Sequence, residues 1–182
     1  MANNLINKKI KGFTLVEVLV AISILLVVVT ATLGTASDSL STTIYAKEQV
    51  TAYFLAQEAI EDIKNLRHQN NLNNDLYWLC EGAAFSGLTT SQCGGEQFGL
   101  ENTTDGGVNF YTCSTEPDCE LSWDTTSNLY GGKATYPQTS PYTRIITLQQ
   151  ADDKALVTVE IKWKKSNRIG SLKIQETLYN WL

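Results

Sequence analysis

Residues 13–33 read FTLVEVLVAISILLVVVTATL, an apolar run of 21 residues whose only charged side chain is Glu17. At about 1.5 Å of rise per helical residue, such a run crosses the roughly 30 Å hydrocarbon layer of a bilayer. The remaining sequence mixes polar loops with short apolar runs, so the chain must serve two solvents. It predicts a membrane anchor followed by a separate soluble part. Lys8, Lys9 and Lys11 precede the run and Asp38 follows it. Basic flanks stay on the cytoplasmic side, which places residue 1 inside and the bulk of the chain outside, as a single-pass protein of the inner, cytoplasmic membrane.

Glu17 is the feature of this segment that needs explaining. A carboxylate at membrane depth costs about 3 kcal/mol and calls for a partner, yet the apolar helix that follows supplies no cation. Cleavage before Phe13 would create one. The new α-amino group would lie four residues, or one helical turn, from Glu17, where ammonium and carboxylate neutralise each other within one chain or between neighbours.

The string Lys11-Gly12-Phe13-Thr14-Leu15-Val16-Glu17 resembles the processing site of type IV prepilins and secretion pseudopilins. The resemblance implies a leader over residues 1–12, cleavage between Gly12 and Phe13 by a membrane prepilin peptidase, and N-methylation of Phe13. It also implies that Glu17 pairs with the N-terminal amine of an adjacent subunit during assembly. The implied partners are the prepilin peptidase, the N-terminal helices of other pilins or pseudopilins, and an inner-membrane assembly platform. Two plainer readings compete. An ordinary secretory signal cut after Gly34-Thr35-Ala36 would leave Ser37 as the first residue, but its apolar core runs to about 7–15 residues without a carboxylate. An uncleaved anchor leaves Glu17 unexplained.

Residues 34–43 are poor in helix formers but lack proline, and they read as a weakly helical continuation. Many members of the family carry a proline near Gly34; this chain does not, and Gly34 could serve as a flexible point in its place. Further on, Ala52, Leu55, Ala56, Ala59, Ile60, Ile63 and Leu66 recur at helical spacing, which predicts an amphipathic continuation over residues 34–67 with one face in a core. The tract Arg67-His68-Gln69-Asn70-Asn71-Leu72-Asn73-Asn74-Asp75 is expected to end it.

Residues 68–140 are rich in Gly, Ser, Thr and Asn and hold all four cysteines, Cys80, Cys93, Cys113 and Cys119. They read as a loop region stapled by disulfides, and the resemblance places the variable surface of the family there. Three pairings are open; Cys80 with Cys93 and Cys113 with Cys119 closes the shortest loops. No Cys-x-x-Cys occurs and His68 is the only histidine, which speaks against zinc. Asp105, Asp118 and Glu120 have no recognisable calcium-ligand spacing. No metal or cofactor is expected.

Residues 141–182 carry the strand signals. Val157, Val159, Ile161 and Trp163 alternate with polar neighbours, as do Leu172, Ile174, Glu176 and Leu178, while residues 144–148 supply a third candidate. Residues 151–154 and 165–168 read as hairpin connections. The predicted fold is α+β and pilin-like: a long N-terminal helix, transmembrane in its first half and amphipathic in its second, packed on a C-terminal antiparallel sheet.

Removal of residues 1–12 leaves 11 basic against 19 acidic side chains, a formal charge of −8, which disfavours nonspecific attraction to nucleic acid. Against that field, Lys162, Lys164, Lys165, Arg168 and Lys173 cluster about one hairpin with Trp163 among them. Such a set could hold a nucleic-acid strand by charge and stacking, as in DNA-uptake pili; the plainer account has Trp163 in the core and the lysines solubilising a turn. His68 meets no nucleophile, and the pairs Glu61-Asp62 and Asp152-Asp153 fall on solvated positions. The expected function is therefore non-enzymatic: a minor pilin or pseudopilin, similar in its helix and C-terminal strand to V-type minor pilins and I-type minor pseudopilins, incorporated in a pilus or type II secretion pseudopilus or priming its assembly. The alternatives are DNA binding in a competence pilus and an anchored extracytoplasmic protein of another function.

Overall fold

The computed structural model describes residues 12–72, 78–80, 88–102, 107–133, 135–165 and 168–180. The chain divides into two units, Met1–Ala46 and Lys47–Leu182. One helix, α1, runs from Leu15 to Leu72 over 58 residues.

In the first unit every side chain from Phe13 to Leu40 is exposed. Hydroxyl chemistry accounts for the helix persisting through the segment around Gly34. Thr32 and Thr35 each donate to the carbonyl three residues back at 2.9 Å, and Thr42 and Thr43 to the carbonyl four residues back at 2.9 and 2.8 Å. Side chains that would otherwise compete with the helix are thus folded back onto it.

In the second unit the predicted stripe is the core face of α1: Ala52, Ala56, Ala59 and Ile63 are fully buried, and Leu55, Ile60 and Leu66 nearly so. The helix ends later than the asparagine tract suggested. It extends to Leu72, with Asn70 fully buried at the next position of the stripe and His68 exposed; residues 73–75 of the tract lie outside the described residues.

The sheet is antiparallel and has seven strands: β1 (Phe98–Asn102), β2 (Val108–Thr112), β3 (Glu120–Asp124), β4 (Leu129–Gly131), β5 (Gln138–Ala151), β6 (Lys154–Lys165) and β7 (Arg168–Tyr179). The three-strand meander read from the sequence is β5-β6-β7. Its first member is longer than the five residues expected, because residues 138–143 pair with β3 while residues 142–151 pair with β6. Residues 68–140 are correspondingly not all loop. Among the described residues they hold four strands of three to five residues, the one-turn helix α2 (Thr90–Cys93), and a short 3-10 turn at Glu116–Cys119. Strands this short leave little room for alternation, and β1 buries its first three residues in succession.

Two glycines in this sheet are required by the aromatic residue directly opposite on the paired strand. Gly170 lies opposite Trp163 across β6 and β7, and a Cβ there would fall 2.2 Å from the indole ring. Gly99 lies opposite Tyr111, where a Cβ would fall 2.3 Å from the phenol ring. The absent side chains let both rings lie flat on the partner strand. Asp152 at φ 33° opens the two-residue connection between β5 and β6; residues 166–167 of the second connection lie outside the described residues.

Candidate functional site

The apolar helix begins with a local device. The Thr14 hydroxyl accepts from the Glu17 N–H at 3.3 Å, and the Thr14 carbonyl accepts from the Val18 N–H at 3.2 Å. Thr14 thus acts as the N-cap of α1, and Glu17 stands at the third helical position, where a carboxylate faces the positive end of the helix. The Thr-x-x-Glu spacing is that of a capping box, a signal the membrane argument for Glu17 passed over. Gly12 and Phe13 precede the helix, with the Phe13 side chain 81% exposed. Residues 1–11, with the three lysines, lie outside the described residues. Among the described residues α1 is the one helix long and apolar enough to cross a membrane.

A family model described as the prokaryotic N-terminal methylation motif matches residues 7–33. This match supports a type IV prepilin-like protein. No curated protein and no solved structure matches it.

The second unit ties α1 to the sheet through two buried charges that sequence reasoning did not single out. At the first turn of the unit, Glu48 is 6% exposed and accepts from the Tyr142 hydroxyl of β5 and the Lys165 ammonium of β6. Burial pushes the Glu48 carboxyl up, but the hydrogen bonds from Lys165 and Tyr142 and the Lys165 charge outweigh it and hold the group below its ordinary 4.5. Burial and the Glu48 carboxylate push the Tyr142 hydroxyl up, so it remains a donor at neutral pH. Two turns further on, Arg144 of β5 is 2% exposed. Its guanidinium donates to Glu58 at 3.1 Å and to the Leu55 carbonyl at 3.3 Å on α1, and to the Leu100 carbonyl of β1 at 2.9 Å.

The sign of the Glu48 shift sets a pH dependence. A carboxyl held low in the folded state contributes stability that is complete above its ordinary range and lost as pH falls through the folded value. Asp62 has the opposite sign, since burial and neighbouring Glu58 raise it, and its protonation on acidification favours the fold. Glu48→Gln is therefore expected to cost about 1–3 kcal/mol near neutral pH and to flatten the loss of stability on acidification. Urea unfolding of the full chain in nonionic detergent across that range measures both. An acid slope identical to that of the parent would remove Glu48 from the explanation.

The cysteines are joined as Cys80–Cys93 and Cys113–Cys119, with Cα separations of 6.1 and 5.6 Å. The first fastens α2 to the segment at residues 78–80. The second closes a small ring after β2, and two of its side chains reach neighbouring elements: Glu116 pairs with Lys162 of β6 at 2.6 Å, and Asp118 with Lys133 at 2.8 Å. Lys133, followed by Thr115, holds the Asp118 carboxyl down to about 2. Asp105 lies outside the described residues, and among those described no group of three His, Cys, Asp or Glu side chains is placed to hold a metal ion.

The basic hairpin is divided by this arrangement. Lys162 is engaged by Glu116 and Lys165 by Glu48, while Lys164 and Arg168 are exposed at the strand ends. Trp163 is 3% exposed, packed on Gly170 and 6.5 Å from the Tyr142 ring.

Proposed function

We propose that this prepilin-like chain is a minor pilin or pseudopilin: a non-enzymatic subunit cut between Gly12 and Phe13 by prepilin peptidase, N-methylated on Phe13, and incorporated in a pilus or secretion pseudopilus or priming its assembly. The observation that carries the reading is the methylation motif over residues 7–33, continuous with an exposed apolar helix that holds one carboxylate, Glu17, in its first turn. Before assembly the chain waits in the inner membrane with residue 1 cytoplasmic and the disulfide-bonded unit outside. Its partners are the peptidase, the assembly platform, and the N-terminal helices of other subunits. Cleavage both removes Lys8, Lys9 and Lys11, which hold the N-terminus at the cytoplasmic face, and creates the ammonium that Glu17 lacks.

The mature N-terminus, read by mass spectrometry of the protein from a cell with prepilin peptidase, tests this. N-methylated Phe13 is the expected first residue. Ser37 would indicate ordinary signal cleavage, and retention of residues 1–12 an unprocessed anchor; either overturns the reading.

A further inference from the structure

In the second unit the exposed side of α1 is not uniformly polar. Val50, Tyr53 and Phe54 are 55, 48 and 62% exposed, and the Tyr53 and Phe54 rings meet edge to face at 6.0 Å. Beside Phe54, Leu129 is 56% exposed, and it forms with Phe54, Thr51 and Tyr130 an open cleft of about 360 Å³, which Glu58 also lines. Several large apolar side chains held together at a surface mark a contact site, and aromatic members are the usual anchors of such contacts.

The cleft is held in shape by its surroundings. The turn that presents Leu129 is closed by Asp124, which accepts from the Thr126 and Ser127 N–H groups at 2.9 and 3.3 Å, and by Asn128 at φ 57°. Tyr130 is packed between Trp123 at 4.7 Å and Tyr142 at 5.6 Å. Glu58 is fixed by Arg144 and by Asn102, and the Thr51 hydroxyl donates to the Lys47 carbonyl at 3.1 Å. The walls therefore offer apolar surface and almost no free polar capacity.

The chemistry of the occupant follows from those walls. An anionic lipid surface is disfavoured by the Glu58 carboxylate and by the −8 charge of residues 13–182. A surface that brings neither charge nor unsatisfied donors is favoured, because nothing then has to be desolvated without a partner. Val18–Ala36 is such a surface: it contains no charged residue, and Ser23, Thr30, Thr32 and Thr35 each donate to a carbonyl of their own helix at 2.8 to 3.0 Å. We propose that the Phe54–Leu129 cleft is a socket for the uncharged apolar N-terminal helix of a neighbouring filament subunit. The proposal rests on the filament-subunit reading and adds to it a contact between the soluble unit of one subunit and the apolar helix of the next.

The test places a photoreactive benzoylphenylalanine at position 129 of the full chain in cells that assemble the filament, and maps the adduct by mass spectrometry. The expected partner peptide lies in the uncharged apolar helix of a processed subunit. Leu129→Lys is expected to lower recovery in sheared filaments at least tenfold, with near-ultraviolet circular dichroism and N-terminal processing unchanged. An adduct with lipid, an adduct elsewhere in a subunit, no adduct, or normal recovery of the lysine variant each overturns the socket. In those cases N-methyl-Phe13 in the same sample leaves the subunit reading standing, whereas its absence removes both.

Discussion

Arg144→Ala is expected to lower the stability of the soluble unit by about 3–5 kcal/mol, the usual cost of removing one partner from a buried charge pair. The guanidinium joins three elements at once, reaching Leu55 and Glu58 of α1 and Leu100 of β1 from its place on β5. Its loss would strip Glu58 of its cation and two carbonyls of a donor. Glu58 is about a third exposed at its side chain, so water recovers part of its solvation and the effect belongs at the lower end of the range. Arg144→Met loses the same cation and donors but keeps most of the volume, so it is expected to destabilise less than alanine by the part of the cost that comes from the cavity. Urea unfolding of the full chain in nonionic detergent, with equal slopes for parent and variants, gives the comparison. A loss below about 1 kcal/mol for the alanine variant would mean that the three contacts do not hold helix to sheet.

That buried cation shows where the sequence was legible and where it was not. Tyr142, Arg144, Ile146 and Leu148 alternate along β5 and are all buried, so an arginine on the inward face was itself a sign of an inward carboxylate. Glu48 gave the matching sign on α1, since it precedes Ala52, Leu55 and Ala59 on one helical face. Long periodic elements carried the reading elsewhere: the apolar run, the helix stripe and the β6 alternation each repeat often enough to outweigh local exceptions. The segment from residue 98 to 131 does not. Its strands have three to five residues, two include a glycine, and Tyr111 is held by ring packing on Gly99, a relation between positions twelve apart that no local period contains. The helix N-terminus was legible as a charge problem but not as a capping problem, although Thr14 and Glu17 have the spacing for both.

Those two accounts of Glu17 predict different results for a substitution that keeps its shape. If its carboxylate neutralises the α-amino group of Phe13 on an adjacent subunit, the charge is indispensable, and Glu17→Gln must fail as Glu17→Ala does. If it serves only to start α1, glutamine suffices, because Glu and Gln both complete a capping box with the Thr14 N-cap. The electrostatic argument favours the first. A lone ammonium or carboxylate in an apolar assembly costs several kcal/mol, and breaking such a pair about 3–5 kcal/mol, which at 1.4 kcal/mol per tenfold corresponds to a loss on the order of a hundredfold or more. Both variants are therefore expected to be cut between Gly12 and Phe13 and to remain in the membrane, since neither alters the junction or shortens the apolar run. Both are then expected to fall at least a hundredfold in filament recovery. Recovery of Glu17→Gln at the parental level, with Glu17→Ala impaired, would assign the residue to helix capping and dismiss the ion pair; recovery of both would leave Glu17 with no part in assembly.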